Sequence, residues 1–239
     1  MKKRKVNRNK FTLFKFLSIV LILIFILITP IVIQKLIKIN KIECFSQYDT
    51  CPQEIESKLK TFELKDYRLV KKEVNKILSD SFLVDDYSLQ YQIPSKILVE
   101  LNLKKPKYAI FDSLKKVFYL VSEDGIVLET SNDTNLPNIT RDNINLKVGE
   151  KISEKQKFAL EIVEKVAWLY SVKVGFIEKD ELTITLKERV LVRFPLEGEV
   201  DSLVGGLRLI FSRLNDESQG IRMEDIREID LRFKNPILR

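Results

Sequence analysis

The chain has 239 residues, no histidine, two cysteines and a formal net charge of +7. The lack of histidine excludes Ser-His-Asp and Cys-His nucleophiles, and two thiols alone cannot complete a tetrahedral zinc site. The first 41 residues carry ten Lys and Arg and no acidic residue, whereas the remainder holds 31 Lys and Arg against 34 Asp and Glu. The basic balance therefore belongs to the N-terminus and does not indicate nucleic-acid binding.

Residues 16–33 carry no charge and consist almost entirely of Ile, Leu, Val and Phe. As a helix they would measure about 27 Å, close to the roughly 30 Å of a bilayer core, so they predict a transmembrane helix. A cleaved signal peptide is the main alternative, but no small residues follow the run to form a cleavage site. Seven Lys and Arg precede the run and three follow it, which predicts a cytoplasmic tail at 1–15 and an extracytoplasmic remainder.

Cys44 and Cys51 enclose a short segment at the start of the exported region. In an oxidising compartment they predict a disulfide, which over so short a loop would stabilise the fold by about 2–3 kcal/mol. Two free thiols in a reducing setting are the alternative. No cofactor, metal ion or small-molecule substrate is indicated.

Periodicity predicts a small α+β unit over residues 37–106. Its expected elements are a strand, two helices whose apolar residues share one face, and two strictly alternating strands joined at 94–96. A three-stranded sheet covered on one face by both helices would bury both apolar stripes. In chain order the elements are a strand at 37–45, a helix opening at Pro52, a helix around 70–78, and strands at 84–93 and 97–103.

A second, β-rich α+β region is predicted over residues 107–239. Asp124 and Gly125 favour a tight turn between two strands, and residues 132–140 are expected to form a loop. A long amphipathic helix begins at Ser153 and ends near Tyr170. The remaining predicted elements are strands at 172–176, 182–186 and 190–194, a helix at 203–214, and a closing strand at 226–233.

This order of elements resembles the FtsQ/DivIB family of bacterial cell-division proteins, which combine a single anchor, a POTRA domain and a β domain. No single motif is specific, and the resemblance rests on the order and spacing of short landmarks. The landmarks are Gln92-Ile93-Pro94, Ile97-Leu98-Val99-Glu100, Pro106-Lys107-Tyr108-Ala109, Tyr119-Leu120-Val121, Asp124-Gly125, Leu136-Pro137, Val148-Gly149 and the segment 229–233. Lys104 and Lys105 stand where the family commonly has Glu-Arg, and the cysteine pair is not a general family feature.

The resemblance implies a non-enzymatic scaffold of the division septum, anchored in the cytoplasmic membrane. Its partners would be other single-pass division proteins, FtsB/DivIC-like and FtsL-like, bound outside the membrane. The last strand of the β domain would present an edge to which a partner segment adds as a further strand. Arg232 and Phe233 are the expected partner contacts, although Phe233 alternates in phase with Ile229 and Leu231 and could instead belong to the core. Asp230 is expected to be solvated or paired to a turn.

Two other functions remain as alternatives at this point. The chain could be another POTRA-bearing membrane protein of secretion or envelope assembly, although it has neither repeated POTRA units nor a barrel. It could also be a membrane-anchored cell-wall enzyme, for which carboxylate pairs such as Asp85-Asp86 and Asp180-Glu181 would be candidate dyads. Both pairs adjoin predicted strands, where solvated turns are the simpler explanation, so no catalytic residue is predicted.

Overall fold

A computed structural model describes Leu21, Phe25 and residues 38–142, 144–186, 189–214 and 226–239. The predicted cytoplasmic tail and the predicted anchor at 16–33 lie outside this part, except for Leu21 and Phe25, which are helical. Within the described residues, no helix is both long and apolar enough to cross a membrane. The predicted α+β class is confirmed, and the chain divides into two compact units between Leu103 and Lys104. The sequence predicted this boundary three residues later, between residues 106 and 107.

The first unit has the predicted order of strand, two helices and two strands. Its sheet order is β1-β3-β2, with β1 parallel and β2 antiparallel to the central strand β3. The predicted hairpin turn at 94–96 is confirmed, although β3 already starts at Lys96. The bounds are β1 Lys41–Ser46, α1 Gln53–Lys60, α2 Tyr67–Ser79, β2 Val84–Gln92 and β3 Lys96–Leu103.

The first strand begins at Lys41 and not at residue 37 as predicted. The preceding backbone pairs with loops instead of β3: Ile39 exchanges hydrogen bonds with Leu64 and Lys65, and Asn40 donates to the Ser95 carbonyl. Both helices bury the predicted apolar stripes against the sheet, since Leu59 and Val74 are inaccessible to solvent. Cys44 and Cys51 are joined by a disulfide with a Cα–Cα distance of 5.5 Å.

The second unit is built on a nine-stranded sheet with the order β12-β11-β10-β9-β8-β7-β4-β5-β6. Its bounds are β4 Pro106–Asp112, β5 Val117–Ser122, β6 Val127–Ser131, β7 Asn138–Arg141, α3 Glu154–Tyr170, β8 Val174–Glu178, β9 Glu181–Thr185, β10 Leu191–Pro195, α4 Val200–Leu214, β11 Glu228–Asp230 and β12 Ile237–Leu238. The predicted turn at Asp124-Gly125, the three strands after α3 and both helices are confirmed within a few residues.

Two central strands differ from the prediction. No strand was predicted at β4, and β7 occupies the end of the segment expected to be a loop. Both strands pair in parallel at the middle of the sheet, where β7 lies between β4 and β8. Strands buried on both faces lack polar alternation, and β4 has Tyr108, Ala109 and Ile110 buried in succession. The period-2 pattern that identifies half-buried strands was therefore missing.

Helix α3 packs its apolar side on the sheet and supplies much of the core. Ser153 caps it in a capping box with Gln156, which satisfies amide groups that would otherwise lack partners. Ile162, Val163 and Val166 are inaccessible to solvent. Gly175 in β8 permits this contact, because a Cβ there would lie 2.8 Å from both Val163 Cγ2 and Leu182 Cδ1.

Candidate partner-binding edge

The predicted closing strand is shorter than expected and is not the edge of the sheet. The strand β11 covers only Glu228–Asp230 and lies between β10, to which it is parallel, and β12, to which it is antiparallel. Arg232 and Phe233 lie in the bend that leads to β12. The expectation of a free edge at residues 226–233 was wrong, because the last residues of the chain fold back and pair with that edge.

On this side of the sheet, the last described strand is therefore β12. Glu228 and Arg239 exchange two backbone hydrogen bonds of 3.0 Å, so they form a hydrogen-bonded pair. In an antiparallel ladder the next pair is non-hydrogen-bonded, and this is Ile229 with Leu238. The backbone N–H and C=O of Leu238 consequently point away from β11. They are available to a further strand, and the Leu238 side chain is 38% exposed.

Behind the edge, charged side chains form a network across four segments of the second unit. Arg193 of β10 donates from Nε to Glu228 Oε1 at 2.9 Å and also pairs with Glu181 of β9. Arg232 pairs with the same Glu181. The two arginines thus share one carboxylate, which links β9 and β10 to the bend after β11. Glu181, expected in a solvated turn, belongs to this network.

Asp230 is the buried centre of the network. Its carboxylate accepts Nε and Nη2 of Arg232 at 2.9 and 2.6 Å, and Oδ1 also accepts the Arg232 backbone N–H at 3.1 Å. Its side chain has no accessible surface, so the expectation of solvation was wrong and that of pairing to a turn was right. The guanidinium of Arg232 lowers the pKa of Asp230 below its ordinary range, against the opposing effect of burial.

Phe233 is 52% exposed and does not belong to the core, despite its phase with Ile229 and Leu231. The alternation stops because the chain bends after Asp230. The ring lies 5.8 Å from the Arg232 guanidinium carbon, a cation–π distance. An aromatic ring held in this way offers contact area at little conformational cost.

The aromatic ring of Phe233 lines an open groove of about 510 Å³ between α4 and the C-terminal segment. The groove combines apolar walls with two cations, Arg213 and Lys234, and no acidic residue is among the described residues that line it. Neither cation has an ion pair within the described residues. The apolar lining consists of Leu203, Leu209, Ile210, Leu214, Leu231, Phe233, Pro236 and Leu238.

Sequence reasoning missed β12 and the groove. The prediction ended the chain's last strand at residue 233 and left residues 234–239 without an interpretation. A weak signal was present, because Pro236 precedes the apolar pair Ile237 and Leu238, and proline is tolerated beside an edge strand. No local sequence pattern predicts the groove, because its two walls are more than 15 residues apart along the chain.

Neither carboxylate pair forms an acidic centre. Asp180 pairs with Lys155 at 2.8 Å, Glu181 belongs to the arginine network, and Asp85 accepts a bond from Asn102. In the part of the chain that the structure describes, no three acidic or cysteine side chains are grouped as metal ligands.

The chain matches no protein-family model and no curated protein, so its resemblance to FtsQ/DivIB proteins rests on the order of its landmarks and elements.

Proposed function

We propose that this protein is a membrane-anchored division scaffold of the FtsQ/DivIB kind. It binds another single-pass division protein, FtsB/DivIC-like or FtsL-like, outside the cytoplasmic membrane and supports assembly of septal cell-wall synthesis. The apolar run at 16–33 is its anchor, and the first unit is its POTRA domain. The order of strand, two helices and two strands in that unit supports the second assignment.

One observation carries the binding proposal: the sheet ends in the short strand β12 with an apolar groove beside it. A partner segment that adds to β12 gains backbone hydrogen bonds from Leu238 and buries side chains beside Phe233. Arg213 and Lys234 favour carboxylates on that segment. A shared membrane plane raises the effective concentration of the two proteins, so a small contact suffices.

Arg232→Glu is the direct test of the predicted contact, but the charge network makes its result ambiguous. The substitution removes the bidentate partner of the buried Asp230 and places a second carboxylate beside it and beside Glu181. We expect this variant to lose stability as well as partner affinity.

Leu238→Pro separates binding from folding. The Leu238 N–H points away from β11, so proline removes a donor that strand addition needs and that the fold does not use. Leu238→Ala is the matched control, since it trims the side chain and keeps the N–H. The measurement is the affinity of the full chain in lipid nanodiscs for candidate single-pass division proteins, with thermal unfolding of each variant recorded beside it.

We expect Leu238→Pro to weaken binding about tenfold, the loss of one backbone hydrogen bond, with an unfolding midpoint close to that of Leu238→Ala. Equal affinities for the proline and alanine variants would contradict strand addition at β12. If no division protein binds the unaltered chain, the proposed function itself fails.

A further inference from the structure

Within residues 38–103, the two most exposed large apolar side chains lie at one end of the folded unit. Ile93, in the turn between β2 and β3, is 86% exposed, and Leu64, in the loop between α1 and α2, is 70% exposed. Single exposed aliphatic residues are ordinary on protein surfaces. These two are unusual because separate loops, far apart in sequence, hold them beside the same short stretch of backbone.

That stretch is the point at which the chain enters the unit. The Leu64 N–H donates to the Ile39 carbonyl at 2.6 Å, and the Ile39 N–H donates to the Lys65 carbonyl at 3.0 Å. The next residue, Asn40, donates to the Ser95 carbonyl at 2.8 Å. Because β1 and β3 are parallel and start in register, the 93–95 turn must lie at the end where β1 begins.

The polar groups at this end are mixed in sign. Lys41 and Lys96 both pair with Glu43, and the Glu63 carboxylate accepts the Ile42 N–H, so these groups are already used within the unit. Lys38 and Lys65 are exposed and have no ion pair within the described residues. Asp66 is the one other acidic residue on the loop that bears Leu64. The Lys65 ammonium lies 4.6 Å from the centroid of the Phe62 ring, and both lysines are exposed without a carboxylate partner in the described part of the chain.

Two tyrosines lie next to the loops that carry Leu64 and Ile93. The rings of Tyr67 and Tyr91 meet edge-on with centroids 5.2 Å apart, and the Tyr91 hydroxyl donates to the Pro94 carbonyl. Across a membrane–water interface, aliphatic side chains lie deepest, tyrosines lie next to them, and lysines lie on the aqueous side. The side chains at this end of the unit follow the same order.

Chain length places this end close to the bilayer, if residues 16–33 are the anchor as proposed. Ile33 and Lys38 are five positions apart. Five residues span at most about 18 Å even when fully extended, and less in any other conformation. The end that carries Ile93 and Leu64 is thus tethered within reach of the lipid headgroups, while the opposite end of the sheet is a strand length further away.

We infer that the Leu64 and Ile93 loops form a second membrane contact. Their aliphatic side chains insert into the headgroup–acyl boundary of an anionic lipid surface, and Lys38 and Lys65 contact lipid phosphates. The inference rests on the proposed anchor and adds to it: the contact would fix the tilt of the first unit on the membrane, which one covalent connection to the anchor does not do by itself.

The test uses the full chain in nanodiscs of phosphatidylcholine and phosphatidylglycerol, with an environment-sensitive dye on one introduced cysteine. Both native cysteines are consumed in the disulfide, so they do not react with the dye. The labelled variants are Ile93→Cys and Leu64→Cys at the tips. Asp80→Cys, exposed at the far end of α2, is the matched control, and Leu21→Cys reports on the anchor. Quenching by lipids with a nitroxide near the headgroup is measured for each label.

We expect the two tip labels to be quenched at least about twofold more than the Asp80 label, as suits a depth of about 5–10 Å. A dye at Gln92→Cys should lose this quenching when Ile93→Asp is added, which excludes insertion driven by the dye. Tip labels quenched no more than the Asp80 label, with the Leu21 label quenched by deep nitroxide lipids, would overturn the inference and leave the anchor standing. An unquenched Leu21 label would overturn both.

Discussion

Arg232 makes contacts that the fold itself uses, in addition to its proposed part in partner binding. Its guanidinium holds the buried Asp230 and reaches Glu181, so the bend that presents Phe233 is fixed by charge pairing and not by apolar packing. A buried carboxylate without such a partner would cost several kcal/mol. Arg232, one of the two predicted contact residues, is thus a residue that the fold needs for itself.

Because of Asp230, the free energy of unfolding of the second unit depends on pH in the acid range. Its pKa is lowered in the folded protein, so its stabilising contribution is present above the unfolded-state pKa of about 3.9 and is lost as pH falls through the lower folded value. We expect Asp230→Asn to be less stable than the unaltered chain at pH 7, with the difference shrinking below about pH 4. Urea unfolding between pH 7 and pH 2.5 measures this, and a constant difference at all pH values would contradict the assignment.

At the scale of elements, the disulfide and the edge strand contribute differently. The disulfide joins the end of β1 to the start of α1 and constrains the unfolded chain. The strand β12 adds little stability by its two residues, but it satisfies the outer backbone groups of β11. A short edge strand preceded by proline also limits unwanted pairing with other chains.

We expect the double substitution Cys44→Ala and Cys51→Ala to lower the free energy of unfolding of the first unit by about 2–3 kcal/mol, as expected for a short closed loop. Denaturant unfolding of the unaltered and double-substituted chains measures the difference. The binding of partners through β12 should not change, because both cysteines belong to the other unit. An unchanged unfolding midpoint would show that the bridge contributes nothing to stability.

At the scale of the molecule, each unit has an apolar core of its own. The core of the first contains Ile39 and Val99, and that of the second Ile139 and Leu160. The two sets share no residue. Because burial of apolar surface is the main favourable term in folding, each unit has its own reason to be compact.

We therefore expect a fragment of residues 104–239 to fold by itself. It should unfold in one cooperative transition, with the strand and helix content of the second unit. Circular dichroism measures this, and Trp168, the chain's single tryptophan and 85% exposed, should emit as a solvated indole before and after unfolding. A broad, non-cooperative transition would show that the unit needs the rest of the chain.

Local periodicity determined the elements that are half-buried. The hairpin of β2 and β3 and the helix α3 were predicted because one face of each meets water, so polar and apolar residues alternate at the period of the element. The Asp124-Gly125 turn was predicted from the preference of Asp-Gly pairs for tight turns. The sequence alone also determined that no histidine chemistry is available and that the excess of positive over negative charge lies in the first 41 residues.

Only the tertiary structure decided the form of the candidate site. β4 is covered along its length and carries no alternation, and β7 and β12 are too short to show a clear period. Glu181, Arg193 and Arg232 meet because β9, β10 and β11 are neighbours in the sheet, although Glu181 and Arg232 are 51 positions apart. Such contacts depend on strand order, which local residue patterns do not encode. The same holds for the groove beside Phe233, whose walls come together only when the chain end folds back onto β11.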